Sequence, residues 1–210
     1  MAVLMTTLPG TPTLYYGDEI GMTDISDDSV CEDVRCREKC RSPMQWDNST
    51  NAGFGTADDG EPWIQVNDNY MTVNVENELA NDTSTLNLYK NLISLRKDNL
   101  ALARGWYCRY NGDVSFQKNI LAFSREQEGI DDGFLILINL SDERTEIELD
   151  REGDALVIDD SSILDSKKAE LEPYGYMVIR YAVSVYEFAN NDYCWVSQRA
   201  KISKGVEMKV

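Results

Sequence analysis

The sequence predicts a chain in two parts, an α/β portion followed by an all-β portion, and three observations lead there. Residues Met1 to Leu8 read as the tail of a buried helix, stopped by the breaker pair Pro9-Gly10. The run "PTLYYG" after it is short, aromatic and apolar on both faces, as expected of a strand buried on both sides of a parallel sheet. Beyond Arg104 the texture changes to short alternating apolar runs separated by turn residues, the pattern of an antiparallel β-sandwich.

Taken in chain order, the helix and strand at the start imply an α/β layer, whose remaining strands are expected before Met1. From Met22 to about Asn81 there is little periodicity and an abundance of turn formers, which predicts a long structured loop of the binding or lid kind. "STLNLYKNLISLRKDNLAL" then places Leu86, Tyr89, Leu92, Ile93, Leu95 and Leu100 at helical spacing, and Ser84 or Thr83 is suited to cap its start. The runs "GWYCRY", "VSFQ", "ILAFSRE", "GFLILINLS", "TEIELD", "ALVIDD" and "GYMVIRYA" follow as strands, divided by "NGD", "EGIDDG", "SDER" and "EPYG". Three segments result: residues 1–103, 104–183, and a tail over 184–210.

Charge and composition exclude several functions. The formal charge of −17, with acidic residues scattered along the chain, argues against nucleic-acid and anionic-membrane partners. The longest apolar runs, such as "FLILINL", are far shorter than the roughly 20 residues of a membrane-spanning helix. Met1 leads directly into core-like sequence without a basic leader, so an export signal or anchor is expected upstream if the protein is exported.

The chain has no histidine, which excludes a Cys/His zinc site, a His-based triad and a histidine general base within it. Cys31, Cys36 and Cys40 in "CEDVRCREKC" lack metal-ligand spacing and a fourth soft ligand, so neither a metal nor a cofactor is expected. The cysteines are read as disulfide-forming, in keeping with sequons at Asn48, Asn81 and Asn139 that suit an exported surface. The alternative is reduced, partly buried thiols with sequons arising by chance.

Four ordered motifs carry a resemblance. "GTPTLYYGDEIGM", "RSPMQWDNSTNAGF", "PWIQVNDNYMTVNVENE" and the "LYKNLISLRKDN" helix together resemble the C-terminal part of the α-glucosidase branch of glycoside hydrolase family 13, the α-amylase family. The resemblance implies that Thr13 to Asp18 form the last strand of a (β/α)8 barrel and that "STLNLYKNLISLRKD" is its last helix. It implies also that the β-rich half is the family's C-terminal sandwich domain. Members of the family carry their catalytic carboxylates on earlier strands, so no catalytic residue is assigned here and the chain alone is expected to be inactive.

Asp18 and Glu19 sit where a barrel strand would end, the usual place for chemistry in that fold. Neighbouring strand residues point to opposite faces, however, and cannot easily flank one glycosidic bond. A structural role for the pair is favoured over substrate contact. Arg41, the first residue of "RSPMQWD", matches a motif whose Arg reaches the sugar site and is the substrate-binding candidate; the alternative is a loop Arg paired with a nearby acid. Met44, Gln45 and Trp46 are expected to pack the loop, and Trp46 and Trp63 are either sugar-stacking or plain core.

The segments "LARGWYCRYNGD" and "NNDYCWVSQRA" resemble the rBAT-type heavy chains of heteromeric amino acid transporters, which implies a Cys108–Cys194 disulfide tying the tail to the sandwich. The "CEDVRCREKC" insertion and the polar end "KISKGVEMKV" depart from that pattern. Two functions follow as expectations. One is a heavy-chain scaffold partnering a polytopic light chain at the extracellular face of the plasma membrane. The other is the C-terminal part of an α-glucosidase, secreted or anchored, acting on α-glucosides.

Overall fold

The structure, a computed structural model, describes residues 1–31, 36–55, 60–110 and 119–183, together with the backbone of Cys194 and Trp195. The chain divides into two compact units, one made of Met1–Pro12 with Leu92–Val210 and the other of Thr13–Asn91.

In the first unit, helix α1 (Ala2–Thr7) is only six residues long, too short to persist by itself. Two arginines hold its C-terminal carbonyls. Arg96 donates to Thr6 O at 2.6 Å, Leu8 O at 2.9 Å and Gly10 O at 2.6 Å. Arg125, fully buried, donates to Thr7 O and, at 2.8 Å, to Gly105 O. Cations at the negative end of a helix dipole are favourably placed, and these satisfy carbonyls the helix leaves open.

Helix α3 (Thr85–Asp98) starts as expected, with Ser84 Oγ accepting from Asn87 N at 3.2 Å. The single helix read from the periodicity is interrupted at Asn99, where α4 (Leu100–Arg104) takes over. Asn99 is extended, and its Nδ2 donates at 2.7 Å to Leu95 O, the acceptor its own amide would use in a continuous helix.

Among the described residues nine strands follow: β1 (Trp106–Arg109), β2 (Ile120–Glu126), β3 (Asp132–Asn139), β4 (Thr145–Glu148), β5 (Asp154–Ile158), β6 (Ile163–Asp165), β7 (Lys168–Leu171), β8 (Tyr176–Ala182) and β9 (Cys194–Trp195). They form two antiparallel sheets, ordered β5-β8-β3-β2-β1-β9 and β4-β7-β6. The main core draws on both, with Ile120, Leu135, Leu137, Met177 and Ile179 from the larger sheet and Ile147, Ala169 and Leu171 from the smaller. β3 is apolar on consecutive residues because α4 packs against β2 and β3 as well. That close approach requires glycine at position 105, where a Cβ would meet Ala101 O at 2.1 Å and Glu126 O at 2.6 Å.

Strands β6 and β7 were not expected, because "KKAEL" is made of helix formers. Tertiary pairing decides otherwise: Ala169 faces Ile147 across β4 and β7, and both are buried. Glu146 and Glu170 stand directly opposite in the same register, and Lys168 at 2.7 Å and Arg144 at 2.7 Å offset the like charges. The strand expected at "VSFQ" and most of the 184–210 tail lie outside the described residues.

A polar network is buried at one end of this core. Glu126 accepts from Tyr181 Oη and, at 3.2 Å, from Ser124 Oγ, while Arg151 stands 3.8 Å away and bridges to Asp150 at 2.8 Å. Tyr110 Oη donates to Asp150 Oδ1 at 2.7 Å and accepts from Asp150 N at 2.8 Å. Burial is the main opposing influence on Arg151, but the Asp150 hydrogen bond and the charges of Tyr181, Asp150 and Glu126 hold its pKa above the ordinary guanidinium value.

In the second unit, the strand expected over Thr13 to Asp18 is not formed. The segment is irregular and Leu14, Tyr15 and Tyr16 are exposed. A strand needs a neighbour for its backbone donors and acceptors, and no described segment supplies one here. After the 3₁₀ turn at Asp18–Ile20, the long loop is ordered by short 3₁₀ turns at Asp28–Val30, Arg37–Arg41, Thr50–Gly53 and Asp68–Met71, and its described residues include the helix α2 (Val75–Ala80), where the sequence predicts loop. α2 has an Asn cap: Asn74 Oδ1 accepts from Asn77 N at 2.8 Å.

Candidate functional site

The Thr13–Asn91 unit contains a cleft of about 540 Å3, lined among others by Tyr16, Glu19, Arg41, Trp46, Phe54 and Trp63. Local turns put each lining group in place. Gly17, at φ 91°, turns the chain so that the Asp18–Ile20 turn closes on itself. Asp18 Oδ2 accepts from Tyr15 N at 3.0 Å, and Glu19 Oε2 accepts from Gly17 N at 2.8 Å. Both carboxylates thus serve the backbone of their own turn. Their charges, after burial itself, also push the Tyr89 hydroxyl to a higher pKa.

Tyr16 Oη donates to Ser42 O at 2.8 Å, which ties "LYYG" to the start of "SPMQWD". Burial, followed by the neighbouring Tyr15, raises the Tyr16 pKa. Arg41 ends the Arg37–Arg41 turn, is part-exposed in the cleft, and stands 3.6 Å from the carboxylate of buried Glu38. Glu38 holds it loosely, as in the reading of a loop Arg paired with a nearby acid, and guanidinium donors remain beyond that pair.

The loop behind the cleft is held by named hydrogen bonds. Buried Gln45 donates through Nε2 to Asn69 Oδ1 at 2.9 Å and to Val73 O at 2.6 Å, while Val75 N returns to Gln45 O at 3.0 Å. Trp46 N donates to Ala52 O at 2.8 Å and closes the 46–52 loop over left-handed Asn51 and Ala52. Met44 is buried as expected, whereas Trp46, Phe54 and Trp63 are exposed, Trp63 to 77%. Neither tryptophan is plain core in this chain. Phe54 and Tyr16 were not singled out from the sequence, although each lies inside a quoted motif and is aromatic beside a glycine.

The cleft therefore offers flat apolar faces and one cation, with a carboxylate already engaged by its own turn. Such a surface stacks on and hydrogen-bonds a neutral polar ligand. Among the described residues no group of three or more His, Cys, Asp or Glu side chains is arranged to hold a metal ion.

The remaining sequence candidates lie elsewhere. Cys31 is bonded to Cys36, which settles the pairing left open in that cluster, and Cys40 is a free, exposed thiol. Asn48 and Asn81 are exposed, while Asn139 is buried. In the first unit, β1 and β9 pair with Cys108 directly opposite Cys194.

Comparison with known proteins places this geometry. The family described as "Alpha amylase, catalytic domain" matches residues 1–105. The chain belongs to the alpha-amylase family. The mouse amino acid transporter heavy chain SLC3A1 is 34% identical over 99% of this chain and 32% of its own length. The oligo-1,6-glucosidase of Bacillus cereus is 31% identical over 71% of this chain and 30% of its own length. Among solved structures, trehalulose synthase MutB from Pseudomonas mesoacidophila superposes with a TM-score of 0.74 at 27% identity, covering 85% of this chain and 37% of that one. The chain thus spans about a third of the length of the relatives it matches. No described helix is long and apolar enough to cross a membrane.

Proposed function

We propose that this chain is the C-terminal part of a glucosidase-like ectodomain that serves as the heavy-chain subunit of a heteromeric amino acid transporter. In this reading residues 1–103 end a (β/α)8 barrel, 104–183 form the sandwich that follows it, and 184–210 fold back onto that sandwich. The role is scaffolding and trafficking of a polytopic light chain at the extracellular face of the plasma membrane, with the anchor upstream.

The observation that carries the reading is the extent of similarity. Resemblance to the mouse heavy chain runs through 99% of the chain, tail included, at 34% identity, against 89% at 30% identity for the oligo-1,6-glucosidase of Halalkalibacterium halodurans. A Cys108–Cys194 disulfide belongs to the same proposal. Cys108 is disulfide-bonded, and its backbone faces Cys194 across the β1–β9 pair. Closing so long a loop contributes roughly 4 kcal/mol in the chain-entropy model.

A second reading, the C-terminal part of an α-glucosidase, is favoured by the cleft. Arg41, Trp46 and Trp63 suit an α-glucoside, and Arg41 keeps the glucosidase choice at the head of its motif. In that case the protein is secreted or anchored and its catalytic carboxylates lie on upstream strands.

One experiment separates the two. The upstream coding sequence is read, and the full-length protein is expressed and assayed for a co-purifying polytopic partner and for maltose or chromogenic α-glucoside hydrolysis. A membrane helix, a partner and no hydrolysis support the heavy chain. Hydrolysis by a protein with a cleavable signal and no membrane span overturns it in favour of the glucosidase.

A further inference from the structure

The three Asn-X-Ser/Thr sequences are alike on paper but sit in different surroundings. Asn81 is exposed. Its Oδ1 accepts from Thr83 N at 3.1 Å and from Thr83 Oγ1 at 3.1 Å, and its Nδ2 has no acceptor among the described residues. Asn139 makes the same local turn, with Oδ1 accepting from Ser141 N at 3.0 Å and Ser141 Oγ at 2.7 Å. The difference is tertiary. Asn139 is 1% exposed, and its Nδ2 donates to Glu143 O at 2.7 Å and to Glu172 O at 2.9 Å. It thereby clamps the turn after β3 to the turn between β7 and β8. Asn48 is exposed within the loop closed by the Trp46–Ala52 bond, where neighbouring Asp47 takes up the Ser49 amide at 2.8 Å.

We infer that Asn48 and Asn81 are the N-glycan acceptor sites of this chain, and that Asn139 is a structural lock that the folded protein keeps unmodified. The inference rests on the export implied by the proposed function.

The chemistry explains the division. In the transfer, Nδ2 forms a bond to the anomeric carbon of a lipid-diphosphate oligosaccharide, the bond from that carbon to the diphosphate oxygen breaks, and one amide proton is released. The product nitrogen has one N–H and carries a sugar. At Asn81 nothing is lost by this. At Asn139 one of two buried hydrogen bonds disappears, and the sugar has no path to solvent without opening the β3–β4 and β7–β8 turns.

The test expresses the whole 210-residue chain behind a cleavable secretion signal in N-glycosylating cells. Site occupancy is mapped by enzymatic deglycosylation in heavy-oxygen water and peptide mass spectrometry, on secreted and retained fractions separately. The expected result is glycan on Asn48 and Asn81 in secreted protein, with any glycan on Asn139 confined to the retained fraction. Secreted, folded protein with a glycan on Asn139 overturns the inference, as does secreted protein bare at Asn48 or Asn81. Because the secretion signal is supplied, failure here is distinct from failure of the export reading. In unglycosylated full-length protein, Asn139→Gln is expected to lower the melting temperature by about 5 °C or more, with Asn48→Gln and Asn81→Gln within about 1 °C. Equal effects at all three positions count against the lock.

Discussion

Replacing Glu126 by leucine tests whether the buried network of the β-rich unit is held together by its central carboxylate. Glu126 is 3% exposed and accepts from Tyr181 Oη, itself 3% exposed, and from Ser124 Oγ. Both bonds go to Oε1, and leucine removes that acceptor. An orphaned buried tyrosine hydroxyl costs roughly 1–3 kcal/mol, and the serine adds about 1 kcal/mol because its hydroxyl can turn elsewhere. Arg151 loses little, since it stands 3.8 Å from Glu126 and keeps Asp150 at 2.8 and 3.0 Å. The extra apolar burial returns about 1 kcal/mol, so the net loss is roughly 1–3 kcal/mol. The diagnostic step is the double variant Glu126→Leu with Tyr181→Phe. Removing both partners of a buried bond is far less costly than removing one, so about 1–2 kcal/mol should return. Urea unfolding followed by far-UV circular dichroism, extrapolated linearly, measures each value. If the double variant is no more stable than Glu126→Leu alone, the orphaned hydroxyl is not the source of the loss and the reasoning fails.

Gly105→Ala should destabilise the same unit by about 2 kcal/mol or more, because the new Cβ meets backbone oxygen of Ala101 and Glu126 rather than a movable side chain; a melting temperature within a degree of the parent's would contradict this. Burial pushes the Tyr110 hydroxyl up to about 12, ahead of the effects of its bonds with Asp150, so the folded state keeps a proton the unfolded state releases near pH 10. Its contribution is therefore full below about pH 10 and is lost as pH rises toward 12, and Tyr110→Phe should flatten that part of a urea-midpoint profile taken from pH 9 to 12. A thiol reagent should titrate one cysteine per native chain, Cys40, and non-reducing peptide maps should return Cys31 joined to Cys36 and Cys108 joined to Cys194; a second reactive thiol without denaturant would refute the pairing.

Legibility followed the range of the interactions involved. The runs "ILAFSRE" and "GYMVIRYA" mark β2 and β8 to within a residue, because alternation of apolar residues is a property of the strand itself. Ser84 was readable as a cap for the same reason, its bond reaching only three residues along the chain. β7 was not, since "KAEL" becomes a strand only when Ala169 meets Ile147 of β4. In the cleft, Arg41 is singled out through its motif, whereas the sharing of the cleft by Phe54 and Tyr16 depends on turns at Gly17, Asn51 and Ala52.

By itself, then, the sequence determined the family motifs, the presence of a helix in "STLNLYKNLISLRKDNLAL" though not its break at Asn99, the alternating strands of the second half and the inventory of chemistry available to a chain without histidine. Those depend on residue identity and short-range periodicity. Tertiary structure alone decided that "PTLYYG" stays irregular and that Asn139 is buried while the identical local turn at Asn81 is exposed. Each of these turns on whether a partner from elsewhere in the chain arrives to pair, cover or clamp the group, and that cannot be read from its neighbours in sequence.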